Sequence, residues 1–213
     1  MFVKELWRYP VKSMAGERRR EGTLTLAGFP DDRKVLVIGA NGKVITSRTH
    51  HRLLGLKATL GADGVLLISG HRWDSAEALR LVREAVGPGA GVAYYEGVGR
   101  FDVLPLLVAT DGAIAHMNFD GRRLRPNIVI GGVEDLDERS WPGRRLRVGG
   151  AVIEAAQLRG RCVMTTYDPD TLQQDRGVLK RIVDELDGRM ALDCAVVEAG
   201  FVREGDPVAL LEG

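Results

Sequence analysis

Cysteine, aromatic residues and an excess of charge of either sign are all scarce in this sequence of 213 residues. Only two cysteines occur and no C-x-x-C pair is present, which disfavours a disulfide framework, a zinc ribbon and an iron–sulfur centre. The 30 Lys and Arg residues balance 29 Asp and Glu residues, and aromatic side chains make up 6%. A binding barrel for single-stranded nucleic acid is therefore the weakest alternative, and no nucleic-acid partner is expected.

Long apolar runs are missing as well. No stretch approaches the roughly 20 residues that a membrane-spanning helix needs. The first residues, MFVKELWRYP, lead into strand-like sequence and lack the basic start and apolar run of a signal peptide. We therefore expect a cytoplasmic protein that does not contact a membrane. No phosphate-binding glycine loop, dinucleotide fingerprint or zinc motif is present either.

Short strand-like runs separated by tight turns are abundant. Three dipeptides that accept positive φ angles, Asn41-Gly42, Asp63-Gly64 and Gly149-Gly150, each lie between two runs rich in Val, Ile and Leu, and each predicts a hairpin. Apolar spacing and capping residues predict helices over 75–86 and 175–186, with a shorter helix or turn over 111–118. The pattern predicts an α+β protein, predominantly antiparallel β, with a few short helices.

One weak seam divides the chain. The stretch 87–91 reads GPGAG, which is rich in residues that break regular structure and follows the first predicted helix. A chain of this length suits one large domain or two small, closely packed ones. We place a boundary near Gly97, which gives an N-terminal region over 1–96 and a second domain over 97–213.

Cys162 is the main candidate for chemistry. Arg159 and Arg161 precede it, and nearby cations stabilise a thiolate, which is a nucleophile and a soft metal ligand. A buried structural cysteine is the alternative, and it is the commoner state of a free cysteine. Because side chains alternate along a strand, the pattern leaves open whether Arg161 faces the thiol. Cys194 lies in an apolar run and is predicted to belong to the core.

Lysine, serine and arginine side chains at predicted strand ends have the chemistry to bind an anion. Lys12 and Ser13 follow the first predicted strand, where an ammonium and a hydroxyl group together can hold a phosphate. Arg33 and Arg48 flank predicted hairpin strands, whose ends can converge on one cleft. Each of these residues taken singly is more simply an ordinary surface group.

A further arginine precedes a proline. Pro126 excludes a helix interior and biases Arg125 towards an extended backbone. From there the Arg125 guanidinium can bind a phosphate or a carboxylate, and Asn127 can both donate and accept hydrogen bonds. A strand entrance with one surface arginine is the simpler alternative.

Six segments match, in order, motifs of one known family. They are LWRYPVKS at 6–13, DR at 32–33, TSR at 46–48, LRPNIVI at 124–130, GRCVMTTYDPDT at 160–171 and GDPV at 205–208. On these segments the chain resembles the MOSC family, and within it the amidoxime-reducing component proteins and their bacterial counterparts. The cysteine motif and the arginine-proline-asparagine motif are the most specific. Met14, Gly160 and Leu172 depart from the usual pattern, the last at a position where glycine is common.

The resemblance implies a MOSC-type β-barrel with a packed β-rich N-terminal region and a pyranopterin molybdenum cofactor. It makes Cys162 the molybdenum ligand and the catalytic residue. Because Thr110 follows an apolar stretch just upstream of the RPN motif, it joins the cofactor contacts that we expect: Lys12, Ser13, Arg33, Arg48, Thr110, Arg125, Asn127, Arg161 and Cys162.

The activity that the resemblance implies is the reduction of small N-hydroxylated or related N-oxygenated compounds. The sequence carries no flavin, haem or iron–sulfur motif, so the electrons are expected from a separate protein, such as a ferredoxin- or cytochrome-type reductase. The alternative is a sulfur or cofactor carrier in which Cys162 holds a persulfide or serves as a storage ligand.

Overall fold

Strands form where Val, Ile and other apolar residues run between turns, because these side chains pack well on a pleated surface. In the computed structural model, residues 1–212 are described. The strands are β1 (Phe2–Arg8), β2 (Glu17–Arg19), β3 (Glu21–Leu24), β4 (Val35–Ile38), β5 (Val44–Ile45), β6 (Ala58–Leu60), β7 (Leu66–Ile68), β8 (His71–Arg72), β9 (Gly91–Tyr94), β10 (Leu106–Thr110), β11 (Ile128–Gly131), β12 (Arg145–Val148), β13 (Ala151–Gly160), β14 (Arg189–Glu198), β15 (Gly200–Arg203) and β16 (Val208–Leu210).

Three α-helices occur in the described chain, and all three lie where the sequence predicts them. They are α1 (Ala76–Val86), α2 (Asp111–Met117) and α3 (Arg176–Leu186). The Ser75 side chain caps α1 by accepting a hydrogen bond from Ala78 N at 3.2 Å, and the Asp175 side chain caps α3. Short 3₁₀ helices cover His51–Gly55, Val98–Arg100, Gly121–Leu124, Asp137–Ser140 and Val163–Thr166.

The largest sheet has eight strands in the order β16-β12-β13-β14-β10-β11-β1-β2. All neighbours are antiparallel except β10 and β11, which are parallel. The start of β1 also contacts the approach to β16, because Val3 N donates to Asp206 O at 2.9 Å and Phe2 pairs with Pro207. The largest hydrophobic core lies against this sheet and includes Leu6, Val108, Ile130, Leu146, Ile153, Leu192 and Cys194.

Smaller sheets complete the fold, with strand orders β5-β4-β9, β6-β7-β8 and β15-β3. The three predicted hairpins are confirmed as the antiparallel pairs β4–β5, β6–β7 and β12–β13. A second core packs α1 against β4, β6 and β7, and a third lies under α2 and α3. The predicted fold class is confirmed, since the described chain is mostly antiparallel sheet with three helices.

The first strands pair with strands far along the chain. β1 pairs with β11, and β3 pairs with β15. The N-terminal segment therefore packs directly on the region that follows Gly97, and the boundary at 96/97 stays a prediction. Across residues 1–212, none of the helices combines the length and apolar character needed to cross a bilayer.

Candidate functional site

One cleft, here called the Cys162 cleft, brings together eight of the nine predicted cofactor contacts. It lies where loops of the N-terminal region face the ends of β10 and β13. These residues are far apart in sequence, so the fold rather than local proximity joins them. The predicted contacts that line it are Lys12, Ser13, Arg33, Arg48, Arg125, Asn127, Arg161 and Cys162.

Thr110 is the one predicted contact that the structure places elsewhere. Its side chain is buried, donates to Glu138 Oε2 at 3.0 Å and accepts from Ala113 N at 3.3 Å as the cap of α2. Both roles occupy the hydroxyl inside the protein. Thr110 therefore does not line the cleft, and its contact with a cofactor stays a prediction.

Cys162 lies between the end of β13 and the 3₁₀ helix Val163–Thr166, with its side chain half-buried. The β-branched residues of 163–166 favour a strand, but Thr165 N and Thr165 Oγ1 donate to Cys162 O at 3.0 and 2.8 Å and close a tight turn instead. This turn ends the strand at the cysteine and fixes its backbone. The thiol is consequently part of a cleft wall, whereas Cys194 is fully buried in the core as predicted.

Arg123 holds the turn that carries Cys162. Its guanidinium pairs with Asp168 Oδ2 at 3.1 Å and donates to Thr165 O at 3.4 Å. Asp168 in turn accepts from Asp170 N and Thr171 N at 3.1 and 2.9 Å, which orders the loop after the turn. Leu172, in the same loop, has φ 59°, the left-handed conformation that glycine favours, so this substitution does not prevent the turn.

Asp102 forms ion pairs with three of the basic side chains that line the Cys162 cleft. Its carboxylate pairs with Lys12 Nζ at 2.9 Å, Arg48 at 3.3 Å and Arg159 at 3.1 Å. Burial opposes ionisation of Asp102, but the hydrogen bond from Lys12 and the three cations outweigh it and hold its pKa below the ordinary value. Arg159 also pairs with the buried Asp193 at 2.7 Å.

Asn127 lines the cleft with its amide already hydrogen-bonded. Its Oδ1 accepts from Leu107 N at 3.1 Å and from Arg33 at 3.5 Å. Its Nδ2 donates to Trp7 O at 3.4 Å and to Asp32 Oδ2 at 3.3 Å. Because Arg33 also pairs with the fully buried Asp32, Asn127 positions these neighbours.

Arg125 is not extended as the sequence predicts. Its φ and ψ are 59° and 49°, because Arg125 closes the 3₁₀ turn Gly121–Leu124 by donating its backbone N–H to Arg122 O at 3.0 Å. The guanidinium then lies 4.4 Å from the Tyr9 ring centroid and donates to Met14 O at 2.6 Å. Ser13 and Arg33, at φ 72° and 55°, share this rare left-handed conformation, so three residues of the cleft have strained backbone.

Two arginines of the cleft lack a carboxylate partner among residues 1–212. The guanidinium of Arg125 contacts only Met14 O and the Tyr9 ring, and the guanidinium of Arg161 donates only to Leu124 O at 2.9 Å. The Nε of Arg161 is buried with no hydrogen-bond partner. Burial lowers the pKa of each guanidinium to about 10, and the charge of Cys162 is the main opposing influence on Arg161. Both remain protonated at neutral pH.

These two guanidiniums are the observation that fits an anionic ligand. A buried charge without a partner is costly, and a phosphorylated ligand would supply the missing acceptors. Seven basic side chains line the cleft against two acidic ones: Lys12, Arg33, Arg48, Arg123, Arg125, Arg159 and Arg161 against Asp102 and Asp193. The residues present therefore fit a phosphorylated, thiolate-binding group such as a pyranopterin molybdenum cofactor.

Two known domain families match most of the chain. The model of the MOSC N-terminal beta barrel domain matches residues 1–85, and the model of the MOSC domain matches residues 108–209. The chain belongs to the MOSC family. The predicted family is thus confirmed.

Individual relatives of this MOSC protein share modest identity. Mitochondrial amidoxime-reducing component 1 of Homo sapiens is 26% identical over 84% of this chain and 68% of its own length. Molybdenum cofactor sulfurase of Caenorhabditis elegans is 22% identical over 85% of this chain and 31% of its own length. The solved structure of the YUAD protein from Bacillus subtilis matches with a TM-score of 0.53 and 14% identity, over 97% of this chain and 92% of that one. This last likeness supports the fold alone.

Four charged residues of the Cys162 cleft are missing from the predicted set of cofactor contacts: Asp102, Arg123, Arg159 and Asp193. The sequence does indicate Arg159, because side chains alternate along a strand and Arg159 therefore lies on the same face as Arg161. No local pattern indicates the two carboxylates that pair with Arg159, since Asp102 lies 57 residues from it and Asp193 lies 34 residues from it.

Proposed function

We propose that this MOSC protein binds a molybdenum cofactor through Cys162 and reduces small N-hydroxylated or related N-oxygenated compounds. The observation that carries the proposal is a pair of partly buried guanidiniums, Arg125 and Arg161, that have no carboxylate partner in the described chain and line the same cleft as a half-buried thiol. A buried ionic site without a counter-charge is poorly explained by stability, so a ligand that supplies the charge is favoured. The likeness to amidoxime-reducing components supports the class of reaction.

The chain's own residues would divide the work of holding the cofactor. Arg125 and Arg161 would bind its anionic groups, and the Cys162 thiolate would be its protein ligand to molybdenum. The bound cofactor would supply two-electron redox chemistry at the metal. Arg123, through Asp168 and Thr165, fixes the backbone turn from which the thiol projects.

Lys12, Arg48 and Arg159 would act differently, because Asp102 already neutralises part of their charge. With Asp102 in place they keep the cleft rim ordered and only moderately basic. Asn127 positions Arg33 and Asp32 beside Tyr9. The side chains around the thiol are thereby held before any ligand arrives, as precise ligand binding requires.

Electrons would come from a separate protein. Among residues 1–212 no three His, Cys, Asp or Glu side chains are placed to hold a metal ion together, so the described chain offers no second metal centre built from them. The sequence also lacks flavin and haem motifs. A ferredoxin- or cytochrome-type reductase is the expected partner.

Cofactor content and turnover test the proposal together. The protein is purified from a cofactor-sufficient host, its molybdenum is measured, and benzamidoxime reduction is followed with an artificial electron donor. Cys162→Ser should lose both molybdenum and activity. Cys194→Ala is the matched control, because this fully buried cysteine lies in the core and should leave molybdenum binding intact.

Two outcomes would contradict the reductase. A fully molybdenum-loaded sample without turnover on any N-hydroxylated compound would refute it. One extra sulfur atom on Cys162 by mass spectrometry, with no molybdenum, would favour the sulfur carrier instead. The likeness to molybdenum cofactor sulfurase keeps that second candidate open.

A further inference from the structure

A second cleft, here called the side cleft, adjoins the Cys162 cleft. The two share Arg123, Arg125 and Met164 as lining residues, so these side chains separate them. Beyond that partition the side cleft is lined by Trp7 and Tyr167. Met164 is two residues from Cys162, which places the side cleft directly beside the proposed reaction site.

Two arginines of the side cleft are already paired, whereas Arg125 and the exposed Lys57, which also line it, have no carboxylate partner among residues 1–212. Arg122 pairs with Asp170 at 2.6 Å and also with Asp120, and Arg123 pairs with Asp168 at 3.1 Å. An anion entering here would have to compete with these carboxylates. These pairs therefore favour an uncharged group beside Arg122 and Arg123.

Its apolar lining is only half-buried. Trp7, Leu54, Met164 and Tyr167 all keep part of their surface exposed at this cleft, although large apolar side chains are normally covered. Aromatic and thioether surfaces of this kind bind flat rings well. The lining therefore favours a planar, apolar ligand.

Tyr167 offers a ring face in a fixed orientation. The His51 ring stacks on it with centroids 4.7 Å apart and an interplanar angle of 2°. His51 is not part of the cleft lining, whereas Tyr167 is, so His51 supports Tyr167 from outside the cleft. Tyr9 is unsuitable for stacking, because two guanidiniums lie over its ring at 4.4 and 5.1 Å from the centroid.

We propose that the side cleft binds the aromatic ring of an aryl N-hydroxylated substrate, with Tyr167 as a specificity-determining residue. This inference rests on the proposed function, because it assumes that the N–O group reacts in the Cys162 cleft. The ring lies against Tyr167 and Met164, and its substituent points past Arg123 and Arg125 towards the thiol. Aryl substrates are thereby preferred over small aliphatic ones.

Equilibrium binding to molybdenum-loaded protein without reductant tests the inference free of turnover. Ligand-observed NMR measures the Kd of benzamidoxime and of acetamidoxime, which differ by the ring. Tyr167→Leu should weaken benzamidoxime binding about fivefold, the effect of one lost aromatic contact, and leave acetamidoxime unchanged. Tyr94→Leu is the control, because Tyr94 is exposed and lines neither cleft, and it should change neither Kd.

Other results would overturn the subsite or the proposed reductase, and the two failures are distinguishable. If Tyr167→Leu weakens the binding of both ligands equally, or changes neither Kd, Tyr167 does not recognise the aromatic ring. Loss of molybdenum from Tyr167→Leu would show that the cofactor, and not the substrate, occupies the side cleft. If benzamidoxime binds in the expected pattern but is never reduced, the subsite stands and the proposed reductase fails. If turnover occurs but Tyr167→Leu binds benzamidoxime normally, the reductase stands and the subsite fails.

Discussion

Replacing Arg161 by methionine should stabilise the protein when no ligand is bound. Methionine matches the aliphatic stem of arginine and its apolar packing but removes the charged guanidinium. The Nε of Arg161 is buried without a partner, and burial lowers the pKa of this group to about 10. A change in pKa of one corresponds to about 1.4 kcal/mol, so the buried charge costs at most about 3 kcal/mol at neutral pH, where Arg161 is still protonated.

Part of the stability gained by removing the buried charge is offset by a lost hydrogen bond. Arg161→Met also removes the hydrogen bond to Leu124 O, which is worth about 1–2 kcal/mol. The net expected rise in unfolding free energy is about 1 kcal/mol, which raises Tm by about 2–4 °C for a protein of this size. The same substitution should reduce the molybdenum content of purified protein, because it removes a charge that we propose holds the cofactor.

Arg159→Met is the matched control. Arg159 also lines the cleft, but it pairs with Asp193, whose side chain is 1% exposed. Removing one member of a buried pair leaves the other charge unpartnered, so the unfolding free energy should fall by about 3 kcal/mol. Urea denaturation of the cofactor-free wild type and both variants gives the comparison. If Arg161→Met destabilises the protein as much as Arg159→Met, Arg161 is not an unpaired charge and the reasoning fails.

Three further substitutions test separate parts of the structure. Burial raises the pKa of Glu138, so its stabilising contribution is full at low pH and is lost as pH rises through the folded-state pKa; Glu138→Gln keeps a Thr110 partner and should flatten the fall in stability with rising pH in denaturation series above pH 4. Asp102→Asn should lower Tm but bind inorganic phosphate several-fold more tightly in calorimetry, because Lys12 and Arg48 lose their counter-ion; unchanged phosphate affinity would contradict the pairing. Gly200→Ala should destabilise the fold by about 3 kcal/mol or more in urea, because its Cβ would lie 2.1 Å from Gly150 O.

The local parts of the fold could be predicted because their signals are local. Asn41-Gly42 and Asp63-Gly64 specify tight turns by their own backbone preferences, and Ser75 caps its helix with its own side chain. The strand order could not be derived this way, because β1 pairs with β11 and β3 with β15 across most of the chain. The family resemblance indicated that the N-terminal region packs on the second domain, but not which strands pair.

In the candidate site, too, local signals could be predicted from the sequence and long-range pairings could not. Lys12, Arg125 and Cys162 were grouped by family motifs, whereas their chemistry alone left each as an ordinary residue. Arg125 adopts a left-handed backbone that a residue before proline normally avoids, because a 3₁₀ turn and the Tyr9 ring determine its place. Asp102 was not predicted, because nothing in its neighbourhood signals pairing with three distant cations.

The distribution of counter-ions separates the arginines that are paired within the protein from the two that we propose to bind a ligand. Arg33, Arg123 and Arg159 each have a carboxylate partner within the protein. Arg125 and Arg161 have none in the described chain, and they are the two whose burial is costly. A protein built only for stability would gain by pairing these groups or replacing them with apolar residues. Their location in the cleft of the Cys162 thiol is instead where an anionic, metal-bearing ligand would need them, so the unpaired charge itself points to binding.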